Sequence, residues 1–185
     1  CLTIGDDVST VWTNCTCVGS ASTANNKGIG LVIPYLPEVS LPGSFTAEVS
    51  FMLTQDISAG YPSDGWRRHG IMGTRFSESG FSWNLRVLDG KLALAQYTRS
   101  ISTGASIGNW SNAACTSKAM ELNRWYHAAV VYDADSTPKK LSLYLDRQLV
   151  GTKTYAAGTE LMGSMGEFYL PGGLEAGSPA CFWGS

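Results

Sequence analysis

Glutamates are the first residues to test for chemistry, and their spacing argues against hydrolysis. Glycoside cleavage needs two or three carboxylates clustered on one face, which on a strand means a run such as Glu-x-Asp-x-Glu. Glu48, Glu78, Glu121, Glu160, Glu167 and Glu175 are scattered instead. No Ser or Cys stands in a recognisable nucleophile elbow. There are two histidines. His127 belongs to Trp125-Tyr126-His127, a strand-like run, and reads as a structural strand residue because functional side chains favour loops. The expectation is a chain that is not an enzyme.

Binding chemistry has better candidates. Tyr61-Pro62-Ser63-Asp64-Gly65-Trp66-Arg67-Arg68-His69 mixes aromatic rings with hydrogen-bonding side chains in a stretch rich in loop residues. Tyr61, Asp64, Trp66, Arg67 and Arg68 suit a sugar: a ring stacks on its face while polar groups take its hydroxyls. Trp110, in a second long loop, is a further candidate. The competing reading is that Trp66 and Trp110 fold back over the protein, since large aromatics are mostly buried. A glycan on Asn109 would crowd Trp110. Trp83 and Trp125 lie within strand-like runs, on faces expected to be buried, and are expected in the core. For a metal, Ser77 and Glu78 follow an apolar run at 70–75, but calcium needs more oxygen ligands than these two, and a simply solvated Glu78 fits equally well.

Five cysteines lie at Cys1, Cys15, Cys17, Cys115 and Cys181, none in the paired spacing of a zinc site. Cys15 and Cys17 point to one face of an extended chain, so each suits a distant partner. Asn14-Cys15-Thr16 and Asn109-Trp110-Ser111 match the N-glycosylation pattern. Sequons and cysteines together point to an oxidising, secretory compartment, and so to an extracellular or cell-surface protein. Cys115 and Cys181 are expected to pair with cysteines of the N-terminal segment. The net charge of −2 gives no reason to bind nucleic acid. No apolar run is long enough to span a bilayer, and no signal peptide is visible. The chain reads as a processed protein or as a segment of a larger one.

These residues must be held by strands. Charged residues make up 15% of the chain, 21 residues are glycine, and apolar runs are short, which together indicate an all-β domain. Residues 1–26 read as a cysteine-tethered extension with one strand near Val11 to Val18, and 27–185 as the domain. Strands are expected at 28–36, 45–54, 70–75, 81–87, 91–99, 148–155 and 166–170, with long loops at 55–69 and 100–119 and a Gly-rich loop at 171–180. From Phe45 to Leu53, odd positions are apolar and face inward; Thr46, Glu48, Ser50 and Met52 face outward. Asp89-Gly90 marks a tight hairpin. Arg124 to Asp133 and Leu141 to Asp146 flank the turn residues Asp135, Ser136, Thr137 and Pro138, and make a second hairpin. Its first strand is apolar on both faces and is expected mid-sheet, covered on both sides. Many short strands with regular turns indicate two antiparallel sheets packed as a sandwich or jelly roll.

Three stretches are also similar to a known family. Gly43-Ser44-Phe45-Thr46-Ala47-Glu48-Val49-Ser50-Phe51 resembles a "GSFTVEAWV" strand, and Asp89-Gly90-Lys91-Leu92 resembles a "DGKL" hairpin. Arg124-Trp125-Tyr126-His127-Ala128-Ala129-Val130-Val131-Tyr132-Asp133 with Leu141 to Val150 resembles an "RWYHVAVVYDG…LYLYVDGQLV" core. Together they resemble the laminin-G-like, concanavalin A-like jelly rolls, in the right order over about residues 28–183. The resemblance implies a two-sheet antiparallel jelly roll and a non-catalytic extracellular module that binds glycans or proteins. It also implies calcium at a sheet edge, with Glu175 of the 172–177 loop brought near Glu78; no other cofactor is implied. Arg147 departs from the family's Gly and predicts a wider turn after Asp146. The closing strand expected beyond Trp183 is missing, which predicts an open edge suited to strand addition. Glu48 and Ala129 lie near where pentraxins carry paired cysteines, so a pentraxin is not implied. The combined expectation is an adhesion or structural assembly module contacting other extracellular proteins or further domains of its own polypeptide. A carbohydrate-binding, lectin-like module, calcium-assisted or not, is the alternative.

Overall fold

The computed structural model describes residues 31–33, 43–53, 68–74, 82–107, 111–163, 168–170, 173–175 and 178–180, and every regular element among them is a strand. In chain order these are β1 (Leu31–Ile33), β2 (Phe45–Met52), β3 (Arg68–Thr74), β4 (Trp83–Leu88), β5 (Lys91–Gln96), β6 (Thr98–Ser100) and β7 (Ser111–Cys115). They continue as β8 (Trp125–Asp133), β9 (Lys140–Leu145), β10 (Gln148–Thr154), β11 (Thr159–Leu161), β12 (Phe168–Leu170), β13 (Gly173–Glu175) and β14 (Ser178–Ala180). A six-stranded sheet runs β1-β12-β3-β4-β5-β7 and a four-stranded sheet β10-β9-β8-β2; β11 pairs with β6 and β13 with β14. Every strand pair is antiparallel.

The two large sheets close on each other because each offers one apolar face. Phe51, Tyr126, Ala128, Val130, Leu141 and Leu143 of the four-stranded sheet are buried, as are Trp83, Leu85, Val87, Leu92 and Leu94 of the other. At about 25 cal/mol per Å2 this apolar burial is the main force holding the sandwich. An aromatic chain crosses it. Trp83 stacks on Phe45 at 5.5 Å, Phe45 meets Tyr132 at 5.9 Å, and Tyr132 meets Tyr155 edge-on at 5.9 Å. Tyr155 then donates its hydroxyl to Gln96 Oε1 at 3.0 Å, back on the six-stranded sheet. Burial pushes the Tyr155 phenol well above its ordinary value, and Tyr132 is raised for the same reason. Both folded forms therefore hold their proton more tightly than the unfolded chain does. The resulting stability is complete below about pH 10 and is lost as pH rises beyond it. Urea midpoints measured from pH 8 to 11 are expected to fall above pH 10 in the native protein, and to fall less steeply in Tyr155→Phe.

Several expectations are corrected. Ser82, Asn84 and Arg86, the polar residues that alternate with Trp83, Leu85 and Val87, are buried as well, Arg86 to 1% exposure. Its guanidinium Nη2 donates to Asn112 Oδ1 at 3.1 Å on β7, a partner an alternating pattern does not reveal. The 100–119 stretch is not all loop, because β7 pairs with β5 and forms the edge of the six-stranded sheet. The 171–180 stretch contains the β13–β14 hairpin. Arg68 lies in β3, opposite Leu88, rather than in a loop.

The β9–β10 turn is also tighter than Arg147 suggested. Leu145 pairs directly with Gln148, so the turn is two residues long, with Asp146 at φ 48° and Arg147 at φ 68°. Two successive left-handed residues match the twist of a hairpin, but Arg147 has a Cβ that resists this region. Arg147→Gly is expected to stabilise the protein by about 0.5–1 kcal/mol, since relief of strain outweighs the added chain entropy. Thermal melting checks it, and a lowered midpoint would show that Arg147 makes a compensating contact.

Candidate functional site

The outward face of the four-stranded sheet is open, and this is the main correction to the expectation for β8. Register pairs Met52 with Trp125, Ser50 with His127 and Glu48 with Ala129 across β2 and β8. It then pairs Ala129 with Tyr144 and Tyr144 with Leu149 across β9 and β10. Paired residues share a face, so Trp125, His127, Glu48, Ser50, Tyr144 and Leu149 form one surface. Trp125 is not core: it is 58% exposed. Its neighbours Tyr126 and Ala128 turn inward and are buried, so period-2 alternation puts Trp125 outside once Tyr126 stacks on Phe51 at 5.8 Å. His127 is likewise exposed, with Nε2 3.8 Å from Glu48 Oε2.

Asp146 ties the end of this face together. Its Oδ1 accepts the His127 backbone N–H at 3.0 Å and its Oδ2 accepts from Arg124 Nη2 at 3.1 Å. Asp146 thereby holds the residues on both sides of Tyr126 and Trp125. Arg124 also lies 3.6 Å from Glu121 Oε2 and 4.8 Å from the centre of the Tyr126 ring. Tyr126, then the two carboxylates, push its already high ionisation further up, so Arg124 presents a fixed positive fork.

Beside it a groove of about 470 Å3 runs between the β7–β8 connection and the start of β10. Lys118, Glu121, Arg124, Asp146, Gln148 and Leu149 are among its walls. The groove exists because the edge strands of the two sheets meet here. A Cβ on Gly151 of β10 would sit 3.1 Å from Ala114 Cβ of β7, an approach that glycine permits. Its size is that of small-ligand clefts, and its lining mixes apolar and polar groups as they do.

Of the residues expected to form sites, Tyr61, Asp64, Trp66, Arg67, Trp110 and Glu78 lie outside the described residues, as do Cys1, Cys15, Cys17, Cys181, Asn14 and Asn109. Glu175 ends β13, whose hairpin packs against β3. Cys115 ends β7, exposed, at the groove. No group of three or more His, Cys, Asp or Glu among the described residues is placed to hold a metal ion. The site residues missed from sequence are Trp125, Glu48, Tyr144 and Asp146. The outward assignment of Glu48 and Ser50 contained the needed signal, but only the β2–β8 register connects it to Trp125.

Two antiparallel sheets packed face to face define a jelly-roll sandwich. The chain belongs to the laminin G-like Concanavalin A-like lectin/glucanases superfamily, whose family model matches residues 35–181. No curated protein matches it. Among solved structures it is similar to a Bacteroides ovatus protein proposed to bind carbohydrate, with TM-score 0.54 and 22% identity over 84% of this chain and 38% of that one. It is similar to the CBM40 of Ruminococcus gnavus IT-sialidase bound to α2,3 sialyllactose, with TM-score 0.52 and 16% identity over 85% and 81% of the two chains. It is also similar to domains LG4-5 of the mouse laminin α1 chain, with TM-score 0.53 and 13% identity over 84% and 36%. The chain thus spans well under half the length of the first and third of these.

Proposed function

We propose that this protein is a non-catalytic, extracellular glycan-binding module that receives sugar on the outer face of the four-stranded sheet. The observation that carries the proposal is the 58% exposure of Trp125. Single exposed apolar side chains are ordinary on a protein surface; what favours binding here is that the ring is held on a rigid sheet face beside hydrogen-bonding side chains. Its flat ring suits the C–H face of a pyranose, and Glu48, Ser50, His127 and Tyr144 supply hydrogen-bonding groups around it. The neighbours described as carbohydrate-binding agree with this use of the fold, although a shared fold does not by itself assign function. A non-catalytic role is supported by three described glutamates that face basic groups rather than one another: Glu48 near His127, Glu121 with Arg124, and Glu160 with Arg99 and Lys139.

A protein-contact role in adhesion or assembly has one observation in its favour. β2 is eight residues long and, among the described residues, pairs only with β8, which leaves an edge suited to strand addition. A glycan array probed with the folded protein decides between the two readings. Binding to a defined set of glycans, competed by the free sugar, is expected. No glycan bound, together with self-association in analytical ultracentrifugation, would favour assembly instead.

A further inference from the structure

We infer that the outer face of the four-stranded sheet carries two apolar platforms at opposite corners and takes an extended oligosaccharide of three or more sugars. The inference rests on the glycan reading above and adds the length of the ligand and its second contact. The register puts both platforms on one face. Trp125 of β8 lies directly opposite Met52 of β2. Tyr144 of β9 lies opposite Leu149 of β10 on one side and opposite Ala129 of β8 on the other. Ala129 is four residues along β8 from Trp125, an even separation, so both pairs point the same way.

A bulge builds the second platform. Gly151 pairs with Leu143, which is buried between the sheets. Strict alternation from Gly151 would turn Leu149 inward as well. The register instead shifts between Leu149 and Gly151, and Leu149 pairs with Tyr144. An extra residue of this kind re-aims the side chains beyond it. Leu149 is thereby 57% exposed, on the outer face beside the half-buried Tyr144.

Between the platforms the face is polar. Ser50 pairs with His127 in the row after Trp125, and Glu48 with Ala129 in the next. Ser50, His127 and Glu48 are all exposed. Ala129 carries only a methyl group, so the floor between Glu48 and Tyr144 is low. By strand geometry the backbones at Trp125 and Tyr144 are about 13 Å apart along the strands and about 5 Å apart across them. A single pyranose stacked on Trp125 therefore leaves Tyr144 and Leu149 unused. A chain crossing the face diagonally uses both corners, with its middle hydroxyls over His127 and Glu48. Because the second platform is already fixed on the sheet, the added contact costs little further ordering of the protein.

The test is a glycan array printed with length series, from mono- to pentasaccharide, of β-glucan, xylan, mannan, galactan and chitin chains. Isothermal titration calorimetry of the bound series then compares the native protein with Trp125→Ala, Leu149→Ala and Tyr144→Ala/Leu149→Ala. Expected results are about tenfold tighter binding of the trisaccharide than of the monosaccharide, and loss of that gain alone in the double variant. Trp125→Ala is expected to weaken every length. Leu149 is exposed, so Leu149→Ala is expected to fold and to lose part of the gain; it carries the test if the double variant unfolds. A cross-strand pair that merely braced the sheet would lower the melting temperature and leave the length dependence intact. If affinity does not rise with length in the native protein, or if the folded variants keep the whole gain, the second platform is overturned while the glycan reading at Trp125 stands. If no series binds the folded protein, the glycan reading fails and this inference with it.

Discussion

Trp83→Ala is expected to destabilise the protein by about 3–5 kcal/mol and to lower the melting temperature by on the order of 10 °C. Trp83 is 1% exposed in the interior strand β4. Its ring is a large filled volume that faces the other sheet and stacks on Phe45 at 5.5 Å with planes 23° apart. Truncation removes the transferred apolar area and leaves a cavity between two sheets that are each tied by backbone ladders, so collapse is restricted. The damage spreads along the aromatic chain, because Phe45 also supports Tyr132 and Tyr132 supports Tyr155. Trp83→Phe should cost clearly less, since a ring remains to meet Phe45. Calorimetry or urea unfolding of the three proteins checks this order. Equal midpoints for native and Trp83→Ala would mean that the sheets close over the gap and that the stack is not a main support.

The two tryptophans that sequence placed together in the core have opposite fates, and the reason bears on what a sequence can tell. The core of the fold was readable. Phe45 to Leu53 alternates as expected, the β4–β5 turn falls at Asp89 and Gly90, both with positive φ, and the β8–β9 hairpin pairs Asp133 with Lys140. These depend on local periodicity and turn chemistry. What failed depends on partners far along the chain. Trp125 lies on an apolar-looking strand face that only the β2 register shows to be shared with Glu48 and Ser50. Arg86 looks like a surface residue until β7 brings Asn112 beside it, and β7 itself has the small, polar sequence Ser-Asn-Ala-Ala-Cys, which carries little strand signal. Asp146 reads as a turn residue; that it also clamps Arg124 and His127 follows from the tight turn that Arg147 obscured.

Trp125→Ala should show the reverse profile of Trp83→Ala. Stability is expected to stay within about 0.5 kcal/mol of native, because an exposed side chain on an intact ladder contributes little to folding. Glycan affinity is expected to fall by about 2 kcal/mol or more, roughly thirtyfold, as for an aromatic anchor at the centre of an interface. Trp125→Phe should recover part of the loss, since a smaller ring still stacks. Glu48→Gln, which keeps an acceptor but removes the charge facing His127 at 3.8 Å, should weaken binding less than loss of the ring. The comparison separates a platform from a support. A residue that only braces the sheet would lose stability and affinity together, whereas a ligand platform loses affinity alone and is rescued in proportion to ring size. If Trp125→Ala binds sugar as tightly as native, the outer face is not the site. If it unfolds, Trp125 is structural despite its exposure, and the proposal for this face fails on that ground.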